Sequence, residues 1–121
     1  MEFDNIHTPV MLERTIELLG PALSKPGAVL VDATLGMGGH AEAFLERFSD
    51  LQLVGLDRDL EALAIAEERL KRFSSRFHPV HTVYDGIAEA LESQGFKAAD
   101  GILFDLGVSS LQLDQIGRAH V

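Results

Sequence analysis

Cysteine is absent from the 121 residues. That excludes a disulfide framework and any thiolate metal site. Long apolar runs are missing too: no stretch approaches the about 18–20 residues that a helix needs to span a membrane. The N-terminal Met1-Glu2-Phe3-Asp4-Asn5 is acidic and has no signal-peptide pattern. Basic residues are scarce, 10 Lys and Arg against 19 Asp and Glu, for a net charge of −9. Phosphate backbones are held largely by Lys and Arg that displace counterions. Lys71, Arg72 and Arg76 form the only local basic cluster, so this chain is not expected to hold a nucleic acid by itself. The hydrophobic content of 46% and charged content of 24% suit one water-soluble globular domain with its own core, and a cytoplasmic setting fits.

What is present is organised around residues 28–41. The apolar run Val29-Leu30-Val31 reads as a buried strand ending at Asp32. Gly36, Gly38 and Gly39 follow, and Ala41-Glu42-Ala43-Phe44-Leu45 opens a helical pattern. Strand, glycine turn and helix bring backbone N–H groups close to a ligand at a helix N-terminus. Glycine tolerates positive φ and has no Cβ to hold a ligand away. Leu53-Val54-Gly55-Leu56-Asp57 is a second apolar run ending in an acid. It follows at about the 20-residue distance of a ribose-binding carboxylate. Asp57 could instead cap the next helix, a role for which Asp59 is better placed.

The remaining elements alternate. Thr8-Pro9 reads as the start of a helix over 8–23, with Gly20-Pro21 ending or kinking it. Helices are expected over 40–48 and 59–73. On the latter, Leu63, Ala66, Leu70 and Phe73 share one face, and Glu67–Lys71 and Glu68–Arg72 form i,i+4 pairs on the other. Residues 77–84 read as a strand, at an edge because of Pro79. Asp85 is expected to cap a helix carrying Ile87, Ala90 and Leu91, closed near Gly95. A fourth strand covers Gly101-Ile102-Leu103-Phe104-Asp105, and residues 107–114 continue as a loop or short helix. Such alternation predicts an α/β fold, a parallel sheet with right-handed crossovers. Asp32, Asp57, Tyr84 and Asp105 then gather at the carboxyl ends of the strands, where such sheets bind ligands.

Several blocks together resemble the bacterial ribosomal RNA small-subunit methyltransferase H (MraW) family. They are His7-Thr8-Pro9-Val10, Asp32 to His40, Gly55-Leu56-Asp57-Arg58-Asp59, and above all Asp100 to Asp114. The resemblance implies a Rossmann-like class I S-adenosyl-L-methionine-dependent methyltransferase, of which this chain would be the N-terminal part of the parallel sheet with its flanking helices. It implies transfer of a methyl group to the N4 amine of a cytidine in 16S rRNA, with the small ribosomal subunit as partner. Gly38, Gly39 and His40 would contact the methionine part of the cofactor, Asp57 the ribose and Tyr84 the adenine. Asp105 and Gln112 would complete the pocket near the reacting methyl. Asp105 is the candidate catalytic residue, as an acceptor for the amine or as a cofactor-binding carboxylate. The family's members are about twice as long or more. Residues 1–115 therefore read as a partial cofactor-binding domain, inactive alone, and 116–121 as an altered or foreign tail. In the strand order 3-2-1-4, the fourth strand would form an unprotected apolar edge. The glycine turn and Asp57 would equally suit a nicotinamide-dependent oxidoreductase, and a folded but non-catalytic interaction fragment is the third reading.

Overall fold

The structure, a computed structural model, describes residues 2–33, 35–36, 38–82, 86–104 and 107–109, with the backbone alone for 2–11 and 107–109. Its elements are α1 (Glu2–Leu23), β1 (Val29–Asp32), α2 (Gly39–Arg47), β2 (Gln52–Asp57), α3 (Leu60–Arg69), β3 (Phe77–His81), α4 (Ile87–Ser93), β4 (Gly101–Phe104) and β5 (Gly107–Ser109), with a 3₁₀ turn over Lys71–Phe73 after α3. The sheet order is β3-β2-β1-β4-β5. β1 to β4 are parallel and β5 is antiparallel to β4.

Period-2 alternation divides the core in two. Leu30, Leu53 and Leu103 point to one face, where they meet Ile16, Leu19 and Leu23 of α1, Phe44 and Leu45 of α2, and Leu63 and Ala66 of α3. Val29, Val31, Val54, Leu56 and Ile102 point to the other face, against Ile87, Ala90 and Leu91 of α4. Both faces are therefore covered, which is why β1, β2 and β4 read as nearly continuous apolar runs. The first three strands step outward in one direction from β1, and β4 then pairs on its other side. Chain direction across the sheet thus reverses between β1 and β4, and their carboxyl ends flank a crevice.

Several details depart from the sequence expectations. Helix α1 starts at Glu2 rather than at Thr8, and it runs through Gly20-Pro21 to Leu23. An internal proline costs about 3 kcal/mol. Leu19 and Leu23, 1% and 2% exposed, bracket it, and fully burying a leucine is worth about 1.5–3 kcal/mol each. Packing therefore keeps this turn helical. Gly101 makes room for it, since a Cβ there would lie 3.2 Å from Leu19 Cδ2. Residues 107–109 form β5 rather than a loop or helix, with Leu103 opposite Val108. β5 covers the edge of β4 that was expected to be bare. The N-cap of α4 is Gly86; Asp85, the expected cap, lies outside the described residues. β3 is an edge strand, as Pro79 implied, and Gly95 closes the turn after α4 at φ 86°.

Candidate functional site

Three strand ends define the site. β1 ends at Asp32, which is 2% exposed. The chain then leaves the sheet: Ala33 N–H donates to Leu103 O at 2.8 Å and Leu35 N–H to Leu56 O at 2.9 Å. The loop is thereby tied to β4 on one side and β2 on the other. Gly36 and Gly38 follow with φ of 56° and 89°, conformations that a side chain would strain. Among the described residues, a Cβ on Gly36 would meet no heavy atom within 4 Å, so its backbone is not crowded by them. Gly38 is the N-cap of α2, and its carbonyl accepts from Glu42 N–H at 2.9 Å. The amides of Gly39, His40 and Ala41, one turn earlier, precede any helical acceptor and carry the positive end of the helix dipole. Gly39 and His40 are exposed beside them.

Asp57 meets this loop directly. Its Oδ2 accepts from Gly36 N–H at 2.9 Å, and its Oδ1 accepts from Asp59 N–H at 2.9 Å. A carboxylate has about four acceptor positions, so two remain for other donors. Asp59, not Asp57, caps α3, through Glu61 N–H at 2.9 Å. The turn after β2 is also held from β3: His81 Nε2–H donates to Arg58 O at 2.8 Å, and Thr82 N–H to Asp57 O at 3.0 Å.

Behind the loop, α2 is braced by basic residues from α3 and the 3₁₀ turn. Arg69 pairs with Glu42 at 3.0 Å, and Arg72 pairs with Glu42 at 3.4 Å and with Glu46. Arg72 therefore reaches across to α2 rather than back to Glu68, and it is Lys71 that pairs with Glu68, at 3.4 Å. Arg76 turns inward to backbone carbonyls. Lys71, Arg72 and Arg76 thus all have partners within the chain, although the Lys71 and Arg72 side chains stay exposed at the surface.

Of the expected site residues, the structure brings Gly38, Gly39, His40 and Asp57 to one end of the sheet. Tyr84, Asp105 and Gln112 lie outside the described residues, as does the tail at 116–121. Asp105 directly follows Phe104, the last residue of β4. The sequence reading missed Leu35, Gly55, Arg76 and His81 as supports of this site. Only Gly55 carried a signal, because a glycine inside an apolar strand marks a close approach of other atoms.

Doubly wound topology with a glycine loop after β1 and an acid after β2 is the arrangement of the class I S-adenosylmethionine-dependent methyltransferases. The plantazolicin methyltransferase BpumL, solved in complex with SAH, shares the fold with a TM-score of 0.59 at 20% identity over 85% of this chain and 38% of that one. The sequence profile of the MraW methylase family matches residues 4–120, and the chain belongs to that family. The ribosomal RNA small subunit methyltransferase H of Clavibacter sepedonicus is 65% identical over 118 residues, covering 98% of this chain and 37% of that protein. Its counterpart in Leifsonia xyli subsp. xyli is 67% identical over 114 residues, covering 94% and 35%. The chain thus spans little more than a third of the length of these curated relatives. Membership in a methylase family does not favour the oxidoreductase reading.

Proposed function

We propose that this chain forms the cofactor-binding half-site of a methyltransferase that uses S-adenosyl-L-methionine to modify ribosomal RNA of the small subunit. The observation that carries the reading is the Gly36–Asp57 hydrogen bond, which places a bare-backbone bend, a helix N-terminus and a carboxylate with spare acceptor positions side by side. These groups suit the ligand. Amide donors at the start of α2 match its carboxylate, with Gly38, Gly39 and His40 nearest the methionine part. Asp57 can accept from ribose hydroxyls while still holding Gly36. Tyr84 is assigned to the adenine and Gln112 to the pocket wall by their motif positions.

The cofactor, when bound, supplies an electrophilic methyl that needs no further activation. The protein's task is positioning, because the N4 amine of cytidine is a weak nucleophile whose lone pair is conjugated into the ring. Asp105, next in sequence after the last residue of β4, is assigned by its motif position to accept an amine N–H and offset the positive charge that develops on nitrogen. With a net charge of −9 and 10 basic residues, this chain is poorly suited to hold the RNA by itself.

The test places this chain in the C. sepedonicus relative in exchange for the matching 118 residues. Calorimetric titration with S-adenosylhomocysteine is expected to show one site, and the exchange is expected to preserve methyl incorporation into small ribosomal subunits at a cytidine N4. A folded chimaera that binds no S-adenosylhomocysteine overturns the reading. Methylation at another atom overturns the N4 assignment.

A further inference from the structure

Leu35 is the one large apolar side chain described in the glycine loop, and it is 4% exposed. It packs into the core face shared with Leu53, Leu63 and Phe77. The strand beneath it carries Gly55, midway along β2 and paired with Asp32 on one side and Pro79 on the other. A Cβ on Gly55 would lie 2.9 Å from both Leu35 Cδ1 and Leu35 Cδ2, and 3.0 Å from Phe77 Cε1. Those distances are shorter than carbon contacts tolerate, so the methyls of Leu35 rest on bare strand backbone. The backbone of Leu35 is pinned as well. Its N–H donates to Leu56 O at 2.9 Å, and its carbonyl accepts from Gly38 N–H at 3.1 Å. The next residue, Gly36, donates to Asp57. Glycine weakens a strand interior, so its place here requires a compensating contact, and Leu35 supplies it.

We infer that Leu35, seated on Gly55, is a positioning residue for cofactor binding: it sets the height of the Gly36 and Gly38 backbone above the ends of β1 and β2. The inference rests on the cofactor reading above. Leu35 touches no ligand; it acts through the glycine backbone. A loop displaced by an ångström shifts the start of α2 and misplaces the unbonded amides of Gly39, His40 and Ala41, which have no side-chain freedom to recover.

The experiment uses the same chimaera and compares Leu35→Ala, Leu35→Met, Gly55→Ala and Leu91→Ala. Leu91 is fully buried on the opposite face, against α4, and controls for lost core volume. Three quantities are read: the S-adenosylhomocysteine dissociation constant, the melting temperature, and amide hydrogen exchange at Gly36 and Gly38. Leu35→Ala is expected to weaken binding by about tenfold or more and to speed exchange at both glycines. Leu91→Ala is expected to lower the melting temperature comparably while leaving affinity within about twofold, as distant sites act independently. Leu35→Met, of similar volume, is expected to restore most of the affinity. If Leu35→Ala fails to fold, Gly55→Ala carries the test, because its one added methyl lifts Leu35 and should show the same loss of affinity and protection. Unchanged affinity in the folded variants, or an equal loss in Leu91→Ala, overturns the inference. A wild-type chimaera that binds no S-adenosylhomocysteine overturns the cofactor reading instead, and the exchange comparison then decides alone whether Leu35 holds the loop.

Discussion

Arg76 holds the C-terminal turn of α2 from outside the helix: its Nη2–H donates to Leu45 O at 2.9 Å, and its Nη1–H groups donate to Phe48 O at 2.9 Å and Leu51 O at 3.1 Å. These carbonyls belong to the last turn and the connection into β2, where helical donors have run out. A cation at this end also meets the negative pole of the helix dipole. The guanidinium lies 5.3 Å from the centroid of the Phe73 ring, over its face. Because α2 begins at the glycine loop, a residue 37 positions away in sequence from Gly39 fixes the axis of the helix that the loop starts. Arg76→Met keeps the aliphatic stem and removes all three bonds. Hydrogen bonds to charged groups are worth about 1.5–3 kcal/mol each but do not add fully, so a loss of about 2–4 kcal/mol is expected. Urea denaturation measures it. Arg76→Lys is expected to recover less than half, since an ammonium lacks the planar fork that spans three acceptors.

Asp100 and Lys25 make a pair whose two members differ in worth. Asp100 Oδ2 accepts from Val29 N–H at 2.8 Å, and Asp100 N–H donates to Val29 O at 2.7 Å, so the starts of β1 and β4 are clasped reciprocally. Lys25 Nζ lies 2.6 Å from the other carboxylate oxygen, but its side chain is 60% exposed against 11% for Asp100. Asp100→Ala leaves a buried N–H without its acceptor and is expected to cost about 1–3 kcal/mol. Lys25→Ala removes an exposed charge and is expected to cost about 0–1 kcal/mol. Equal losses in the two denaturation curves would contradict this assignment.

β1, β2 and β4 were legible because burial on both sheet faces turns each into an apolar run, and because β1 and β2 end in acids at the carboxyl edge. Asp59 was legible as a cap and Pro79 as an edge marker, since both act through their own backbone positions. What the sequence hid was contact between elements. Arg72 finds Glu42 and Glu46, 30 and 26 residues away, rather than its helical neighbour Glu68. Pro21 signals a helix end locally, yet Leu19 and Leu23 hold the helix against β4. β5 is only three residues long and carries no alternation to read. Asp57 was legible as a ligand candidate, but its hold on the loop through Gly36 depends on how β1 and β2 lie side by side.

His78 gives the fold a pH dependence. Its Nε2–H donates to Gln52 Oε1 at 2.8 Å, and its ring meets Phe96 edge-on at 5.2 Å. Burial disfavours the charged imidazolium and lowers its pKa from the usual 6.5. As pH falls below 6.5 the unfolded chain takes up a proton before the folded one does. The stabilisation is therefore complete above about 6.5 and is lost as pH falls through the lower folded-state value. Melting temperatures measured from about pH 7.5 down to 5.5 should fall in the wild type and fall less in His78→Gln, which keeps a partner for Gln52 and has no proton to gain. Equal slopes in the two proteins would remove His78 as the cause.

Asp57→Asn separates holding the loop from filling a strand end. Both carboxylate oxygens accept a backbone N–H, from Gly36 and from Asp59. An asparagine of the same shape keeps one acceptor and turns two N–H donors toward the other amide. One bond is lost and a donor faces a donor, a penalty of about 1–3 kcal/mol. If the Gly36 bond is the one lost, the glycine loop loosens, and S-adenosylhomocysteine affinity should fall by more than the ribose contact alone would explain. Hydrogen exchange identifies which amide is freed: the expected result is faster exchange at Gly36 with Asp59 still protected, because the Asp59 bond closes a tight local turn that forms regardless of how the two strands pack. Protection retained at both amides would show that the carboxylate does not secure the loop.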